Sequence, residues 1–141
     1  MKPIDILLVE DDVLDVVDIN RSLDKLNILY RLKNARNGEE AIEVLTDRGA
    51  FGLQALPDLM LIDINMPKIN GLELLEVIRK NEEWKFLKCF IITTSSEKMD
   101  RNAAYKLGVS GYLIKPLKLN SPSNMDMFNL TIDLMNFKSA E

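Results

Sequence analysis

Four apolar stretches of this chain end in side chains whose types could handle a phosphoryl group together with a divalent cation. They are Glu10-Asp11-Asp12 after 6–9, Asp63 after 59–62, Thr93-Thr94 after 90–92, and Lys115-Pro116 after 112–114. In an open parallel sheet the carboxyl ends of the strands share one edge, and ligands bind along that edge. If these stretches are parallel strands, we expect the side chains that follow them to converge on one site.

The chemistry centres on Asp63. A carboxylate can accept a phosphoryl group when the attack is in line and the developing charge is neutralised. Glu10, Asp11 and Asp63 would repel one another if gathered without compensation, and Mg²⁺, a hard cation that prefers oxygen ligands, would relieve that repulsion. Thr93 and Lys115 would offer a hydroxyl donor and a fixed positive charge to the phosphoryl oxygens. Taken alone, the acidic run could equally be a helix N-terminus, with Asp12 as its cap.

The elements that must position these residues alternate along the chain. Apolar strand-like runs are followed by segments of helical period, which is typical of repeated βα units around a parallel sheet. We predict strands near 4–9, 29–34, 59–63, 89–93 and 111–114, and helices over 14–26, 38–48, 71–81, 97–107 and 123–138. Residues 47–58 form a longer loop than such units usually need. Gly108 is expected to end the fourth helix, and Ser121-Pro122 to open the fifth.

Composition excludes several classes of function. The 141 residues suit one domain, and a net charge of −4 argues against nucleic-acid binding, which needs a basic surface. The apolar stretch 125–137 is interrupted by polar residues, so no membrane span is predicted. A single cysteine, Cys89, fits a reducing cytoplasm and a buried position. With no histidine, the chain cannot build an imidazole triad or carry a phosphohistidine of its own.

These residues and their spacing resemble a response-regulator receiver domain over nearly the whole chain. The intervals are 30 residues from Asp63 to Thr93 and 22 from Thr93 to Lys115. The resemblance implies that Asp63 is the phosphoacceptor, that Thr93 is the switch hydroxyl and that Lys115 is the lysine of the site. It further implies that Tyr112 is the aromatic switch residue, turning inward on phosphorylation. The implied Mg²⁺ ligands are Glu10, Asp11, Asp63 and the carbonyl of Asn65.

The same resemblance implies the architecture and the partners. It gives an α/β fold of flavodoxin-like, doubly wound type, with a five-stranded parallel sheet of order 2-1-3-4-5 and helices on both faces. It implies a single receiver domain over 1–141 without an output domain, phosphorylation by a sensor histidine kinase, and a cis peptide at Lys115-Pro116. Phrases such as Asn65-Met66-Pro67-Lys68 and Thr93-Thr94-Ser95 look like the subgroup partnered with bacterial phytochromes.

The last helix carries more apolar residues than packing on its own sheet requires. One stripe contains Phe128, Ile132 and Met135, and a second contains Met127, Leu130, Leu134 and Phe137. A surplus apolar stripe usually marks an interface. We therefore expect homodimerisation through the fourth and fifth helices, with docking on a separate effector or phosphotransfer protein as the alternative.

Other functions use similar residues. A phosphorelay intermediate would pass the phosphoryl group onward from Asp63. A phosphohydrolase with an aspartate nucleophile also needs Asp, Thr or Ser, and Lys in this order, but it places a general acid two residues after the nucleophile, where this chain has Asn65. A flavin-binding module would need a neutral phosphate loop after the first strand, where this chain has three acids. The sequence favours a phosphoacceptor signalling protein, with self-catalysed phosphotransfer and autodephosphorylation as its only reactions.

Overall fold

The computed structural model describes residues 3–47 and 55–139, with side chains up to 137. The strands in these ranges are β1 (Ile4–Val9), β2 (Tyr30–Ala35), β3 (Leu59–Ile62), β4 (Cys89–Thr93) and β5 (Gly111–Ile114). The helices are α1 (Val13–Asp24), α2 (Gly38–Thr46), α3 (Gly71–Lys80), α4 (Lys98–Lys106) and α5 (Met125–Ser139). All neighbouring strands pair in parallel, in the order β2-β1-β3-β4-β5. The predicted fold class and strand order are therefore confirmed.

The sheet separates two apolar cores, because alternate residues of each strand point to opposite faces. In β1, Leu7 and Val9 join the core shared with α2, α3 and α4, whereas Ile6 and Leu8 join the core shared with α1 and α5. Both faces of the central strands are covered, which explains why these strands are continuously apolar in sequence. No helix in the described ranges is long and apolar enough to cross a bilayer.

Most predicted boundaries lie within two residues of those observed, and the clearest difference is at α5. The helix begins at Met125, and Ser121-Pro122 belong to the preceding loop. Asn124, rather than Ser121, supplies the cap: its Oδ1 accepts a 2.9 Å hydrogen bond from the amide of Met127. Residues 48–54, most of the predicted long loop, lie outside the described residues.

Gly71 fixes the path of the chain directly after β3. A Cβ at this position would lie 2.3 Å from the carbonyl oxygen of Asp63, so a side chain cannot be accommodated without moving that backbone. The Gly71 amide donates to the carbonyl of Ile64 across 3.0 Å, which closes the loop. Asn70 and Glu73 then form a reciprocal capping box at the start of α3. The loop that carries Asp63 is thus held from both sides.

Arg79 forms several hydrogen bonds at the end of the sheet opposite to Asp63. Its guanidinium donates to the backbone carbonyls of Lys85 and Leu87, which precede β4, and to those of Leu107 and Gly108, which follow α4. These four bonds are between 2.6 and 3.1 Å long. One side chain of α3 therefore fixes the entry to β4 and the end of α4. Gly108, the predicted helix stop, follows α4 and takes the left-handed conformation (φ 75°).

Candidate functional site

The sheet hydrogen bonds continue one residue beyond three of the strands and so fix the backbone of the candidate site. The amide of Glu10 donates to the carbonyl of Ala35, that of Asp63 to Val9, and that of Lys115 to Thr93, over 2.9 to 3.0 Å. Each of these residues follows a fully or largely buried strand. Backbone hydrogen bonds alone therefore bring these strand ends together, as the sequence predicted.

Three carboxylates meet at this edge of the sheet. Glu10, Asp11 and Asp63 each place one oxygen within 4.8 Å of the other two. Glu10 is 1% exposed and Asp63 is 4% exposed, whereas Asp11 lies open to solvent. Oxygen donors of this kind suit a hard divalent cation, and Glu10 Oε1 is a buried oxygen whose only close partner in the described contacts is the ammonium of Lys115. The side chains present therefore fit Mg²⁺.

Lys115 supplies the positive charge of the site. Its Nζ lies 2.5 Å from Glu10 Oε1 and 3.1 Å from Asp63 Oδ2. The other oxygen of Asp63, Oδ1, accepts a 3.2 Å hydrogen bond from the amide of Asn65. The carboxylate of Asp63 is thus oriented at both oxygens. The peptide bond between Lys115 and Pro116 is cis, as the receiver resemblance predicted.

The surroundings of the site raise the pKa of both Glu10 and Lys115, for different reasons. Burial raises the pKa of Glu10 to about 7; the hydrogen bond from Lys115 opposes this shift and the charge of Asp63 adds to it. Burial alone would lower the pKa of Lys115, but its bonds to Asp15, Glu10 and Asp63 raise the pKa above its ordinary value. The ammonium of Lys115 is therefore charged, whereas burial favours the neutral form of Glu10.

Thr93 is fully buried at the end of β4 and belongs to a separate hydrogen-bonded chain. Its Oγ1 accepts from Asn65 Nδ2 across 3.3 Å and from the amide of Ser95 across 3.2 Å. Asn65 thus joins the two parts of the site, since its amide contacts Asp63 and its side chain contacts Thr93. The structure brings Thr93 to the predicted edge through Asn65, without a direct bond to Asp63 among the described contacts.

Tyr112 lies in β5 and is 2% exposed. Its hydroxyl donates to the carbonyl of Ser95 across 2.9 Å, so the side chain is buried and hydrogen-bonded in this structure, and its inward turn on phosphorylation stays a prediction. Its amide donates to Asp126 Oδ2, which also accepts from Arg101 of α4 (3.0 Å) and from the Tyr105 hydroxyl (2.7 Å). The sequence singled out Tyr112 but not Asp126, which joins α4, β5 and α5 at one oxygen.

Asp15 contacts the site although the sequence did not single it out. Its Oδ2 lies 2.7 Å from Lys115 Nζ. An acid in the first turn of a helix is common for reasons of helix dipole alone, so its position offered no distinguishing signal. Asp12 does act as the N-cap of α1, accepting from the amides of Leu14 and Asp15. Of the acidic run, Asp12 is structural, whereas Glu10 and Asp11 face the candidate site.

Comparisons with known proteins agree with this geometry. The profile of the response regulator receiver domain matches residues 6–123. The chain is 35% identical to the probable methanogenesis regulatory protein FilR2 of Methanothrix harundinacea, over 82% of this chain and 74% of FilR2. It is 33% identical to the response regulator Rcp1 of Synechocystis sp., over 94% of this chain and 86% of Rcp1.

Two solved structures extend the comparison. The Mn²⁺-bound form of Rcp1 aligns with a TM-score of 0.74 at 32% identity, covering 96% of this chain and 94% of Rcp1. The phosphorylated cyanobacterial phytochrome response regulator RcpA aligns with a TM-score of 0.77 at 27% identity, covering 99% of this chain and 96% of RcpA. From its profile match, its relatives and its strand order, this chain belongs to the response regulator receiver domain family.

Proposed function

We propose that Asp63 accepts a phosphoryl group from a phosphohistidine on a separate sensor kinase. The observation that carries the proposal is the double restraint on its carboxylate, held at one oxygen by the Asn65 amide and at the other by Lys115. An oxygen of Asp63 forms a bond to phosphorus as the phosphorus–nitrogen bond breaks, and the electron pair of that bond stays on the imidazole. An ionised carboxylate releases no proton on attack, so no general base is needed.

Glu10, Asp11 and Asp63, with the carbonyl of Asn65, would hold Mg²⁺. When bound, the ion neutralises charge on the phosphoryl oxygens. Lys115 provides a second, permanent positive charge at the same edge, and Thr93 provides a hydroxyl that can donate to a phosphoryl oxygen after leaving its contact with Ser95. The Mn²⁺-bound structure of the relative Rcp1 supports a divalent cation at this site.

Phosphoryl acceptance, rather than phosphate-ester hydrolysis, is supported by the position two residues after Asp63. Asn65 stands there, and its side chain is engaged by Thr93. An amide cannot protonate a leaving group as a carboxylic acid can. We therefore assign the protein to signalling in the cytoplasm, with a kinase as its phosphodonor. The likeness to RcpA supports a phytochrome-type kinase among the candidates.

The test uses acetyl phosphate with Mg²⁺ and intact-protein mass spectrometry. We expect wild type to gain one phosphate, and to lose it again during prolonged incubation with Mg²⁺ once acetyl phosphate is removed; EDTA should slow that loss. Asp63→Asn should gain none, whereas Asp133→Asn, which alters a surface carboxylate paired with Lys88, should label as wild type does. Equal labelling of wild type and Asp63→Asn would refute the assignment of Asp63.

We further propose that the signal leaves through self-association of the α4–β5–α5 surface, the exposed face formed by α4, β5 and α5. On this surface Met99 and Met125 are strongly exposed, and Phe128 and Ile132 are 48% and 40% exposed. The other stripe of α5, containing Met127, Leu130 and Leu134, is buried in the core. The helix therefore presents apolar residues that its own sheet does not cover, which supports an interface.

Sedimentation at micromolar concentration, with and without acetyl phosphate and Mg²⁺, tests this second proposal. We expect wild type to form a dimer, and we expect the Phe128→Asp variant to dimerise more weakly. Phe86→Asp is the matched control, because Phe86 is 84% exposed but belongs to the segment before β4 and not to α4, β5 or α5. A wild type that stays monomeric under both conditions would point instead to a heterologous partner.

A further inference from the structure

Asp15 is one of three carboxylates in close contact with Lys115 Nζ, and its contact is shorter than that of Asp63. The distance from Lys115 Nζ is 2.7 Å to Asp15 Oδ2 and 3.1 Å to Asp63 Oδ2. The contact joins residues 100 positions apart and connects the first turn of α1 to the end of β5. Asp15 is not one of the three carboxylates grouped as cation ligands, so its role at the site is a different one.

The ammonium group of a lysine has three N–H donors, and three carboxylates surround this one. The side chain of Glu10 is fully buried, that of Asp63 is 6% exposed and that of Asp15 is 32% exposed. Phosphorylation of Asp63 would move negative charge from its carboxylate to the phosphoryl oxygens. The donor that faces Asp63 could then turn to a phosphoryl oxygen, while Glu10 and Asp15 keep the nitrogen in place.

We propose that Asp15 is a positioning residue that holds the Lys115 ammonium at the phosphoryl site and so sets the rate of phosphoryl transfer through Lys115. This inference rests on the proposed function of Asp63. Preorganised charge stabilises a transition state because it needs no rearrangement at the moment of reaction. Without Asp15, the lysine would be held by Glu10 and Asp63 alone and would sample more rotamers, so its charge would be displaced from the phosphoryl group for part of the time.

The experiment is a double-mutant cycle between Asp15→Asn and Lys115→Met, with initial phosphorylation rates measured at several acetyl phosphate concentrations. Asn keeps the size and one acceptor oxygen of Asp but removes the charge. We expect Asp15→Asn to lower the maximal rate about 10-fold, the lower range for loss of a group that orients a reacting side chain. The acetyl phosphate concentration at half-maximal rate should change little, since the donor does not contact Asp15. In the Lys115→Met background Asp15→Asn should have no effect.

Asp18→Asn is the matched control. Asp18 lies on the next turn of α1 and lines the same hollow of about 250 Å³ between α1 and the segment after β5. The Asp18→Asn variant loses the same charge as Asp15→Asn, but Asp18 is not among the carboxylates that pair with Lys115 in the described residues. Its rate should remain within about twofold of wild type, because an exposed charge without a direct contact is screened by solvent.

A second readout does not depend on labelling. In ¹⁵N NMR of lysine side chains, the Lys115 ammonium protons should exchange slowly with water in wild type and Asp18→Asn, and quickly in Asp15→Asn. An equal effect of Asp15→Asn with and without Lys115, or unchanged ammonium exchange, would overturn the role of Asp15 while leaving Asp63 as the acceptor. Absence of labelling in wild type would overturn both proposals.

Discussion

The hydroxyl of Tyr112 donates to the backbone carbonyl of Ser95, and the amide of Ser95 donates to the hydroxyl of Thr93. One residue of the β4–α4 segment is therefore bound on one side to the candidate switch hydroxyl and on the other to the buried tyrosine. If Thr93 turned toward a phosphoryl oxygen on Asp63, its contact with Ser95 would be lost. Phosphorylation of Asp63 would then change the hydrogen bonds of the segment that leads into α4.

Tyr112→Phe removes this hydroxyl while keeping the ring. We expect the free energy of unfolding to fall by about 1 kcal/mol, the usual contribution of one hydrogen bond. Amide hydrogen exchange across 94–97 should become faster. Tyr30→Phe is the control, since its hydroxyl bonds Asn20 and Asp24 instead. Tyr30→Phe should lower stability without changing exchange at 94–97, and equal exchange in the two variants would contradict the assigned link.

Asp126→Asn tests the junction of α4, β5 and α5. The change weakens the contacts with Arg101 and Tyr105, and we expect a loss of about 1.5–3 kcal/mol in unfolding free energy, as for a hydrogen bond to a charged group. Asp133→Asn, which breaks a partly exposed pair with Lys88, should cost less than about 1 kcal/mol. Urea unfolding of both variants measures the difference, and equal losses would show that Asp126 has no special role.

The contact between Asp126 and Tyr105 predicts that the stability of the fold depends on pH in the alkaline range. Burial, and then the hydrogen bond to Asp126, raise the pKa of Tyr105 to about 12 from an ordinary value of 10.0. A group with a raised folded-state pKa stabilises the fold below its unfolded pKa, and that contribution disappears as the pH rises through the folded value. Between pH 10 and 12 wild type should therefore lose stability more steeply than Asp126→Asn. Absorbance titration of Tyr105 should give a lower pKa in the variant, and an unchanged value would be the contrary result.

Glu10 should couple cation binding to pH. Its folded-state pKa of about 7 lies above the ordinary 4.5, so without a cation its contribution to stability is present below pH 4.5 and is lost as the pH rises through 7. A bound cation favours the ionised form, so Mg²⁺ affinity should increase as the pH rises from 5.5 to 8. Calorimetry of wild type measures this slope. Glu10→Gln should bind more weakly and with a flatter profile, and parallel profiles would refute the coupling.

Gly71 and Gly108 offer a comparison between two glycines with different constraints. Gly71→Ala would press a methyl group against the Asp63 carbonyl, so both stability and the phosphorylation rate should fall. Gly108→Ala has room for its Cβ, which would meet Arg79 Nε at 3.7 Å, but its φ of 75° should cost about 1 kcal/mol of stability. Its phosphorylation rate should be that of wild type. Thermal unfolding and acetyl phosphate labelling of both variants separate the two effects.

Much of this fold and site can be predicted from the sequence, and the features that cannot be predicted depend on tertiary packing. The positions of Glu10, Asp63, Thr93 and Lys115 depend on strand ends, which short-range apolar patterns predict well. The contact between Asp15 and Lys115 depends on how α1 is rotated on the sheet, which no local pattern specifies. The start of α5 at Met125 was missed for a related reason, because Ser121-Pro122 is an equally acceptable local start signal.

The guanidinium of Arg79 has a mechanical consequence for α4. It grips the carbonyls of Leu107 and Gly108, just beyond the carboxyl end of the helix, whereas Glu97 at the amino end makes no side-chain capping bond. The segment after α4 is thus held by Arg79 at the end far from Asp63, whereas the first turn of the helix is held by Ser95, whose hydroxyl donates to Asp100 across 2.9 Å. A displacement of Ser95 would therefore be passed directly to the first turn of α4. Small shifts at the phosphoryl edge would then displace the first turn of α4 more than its carboxyl end.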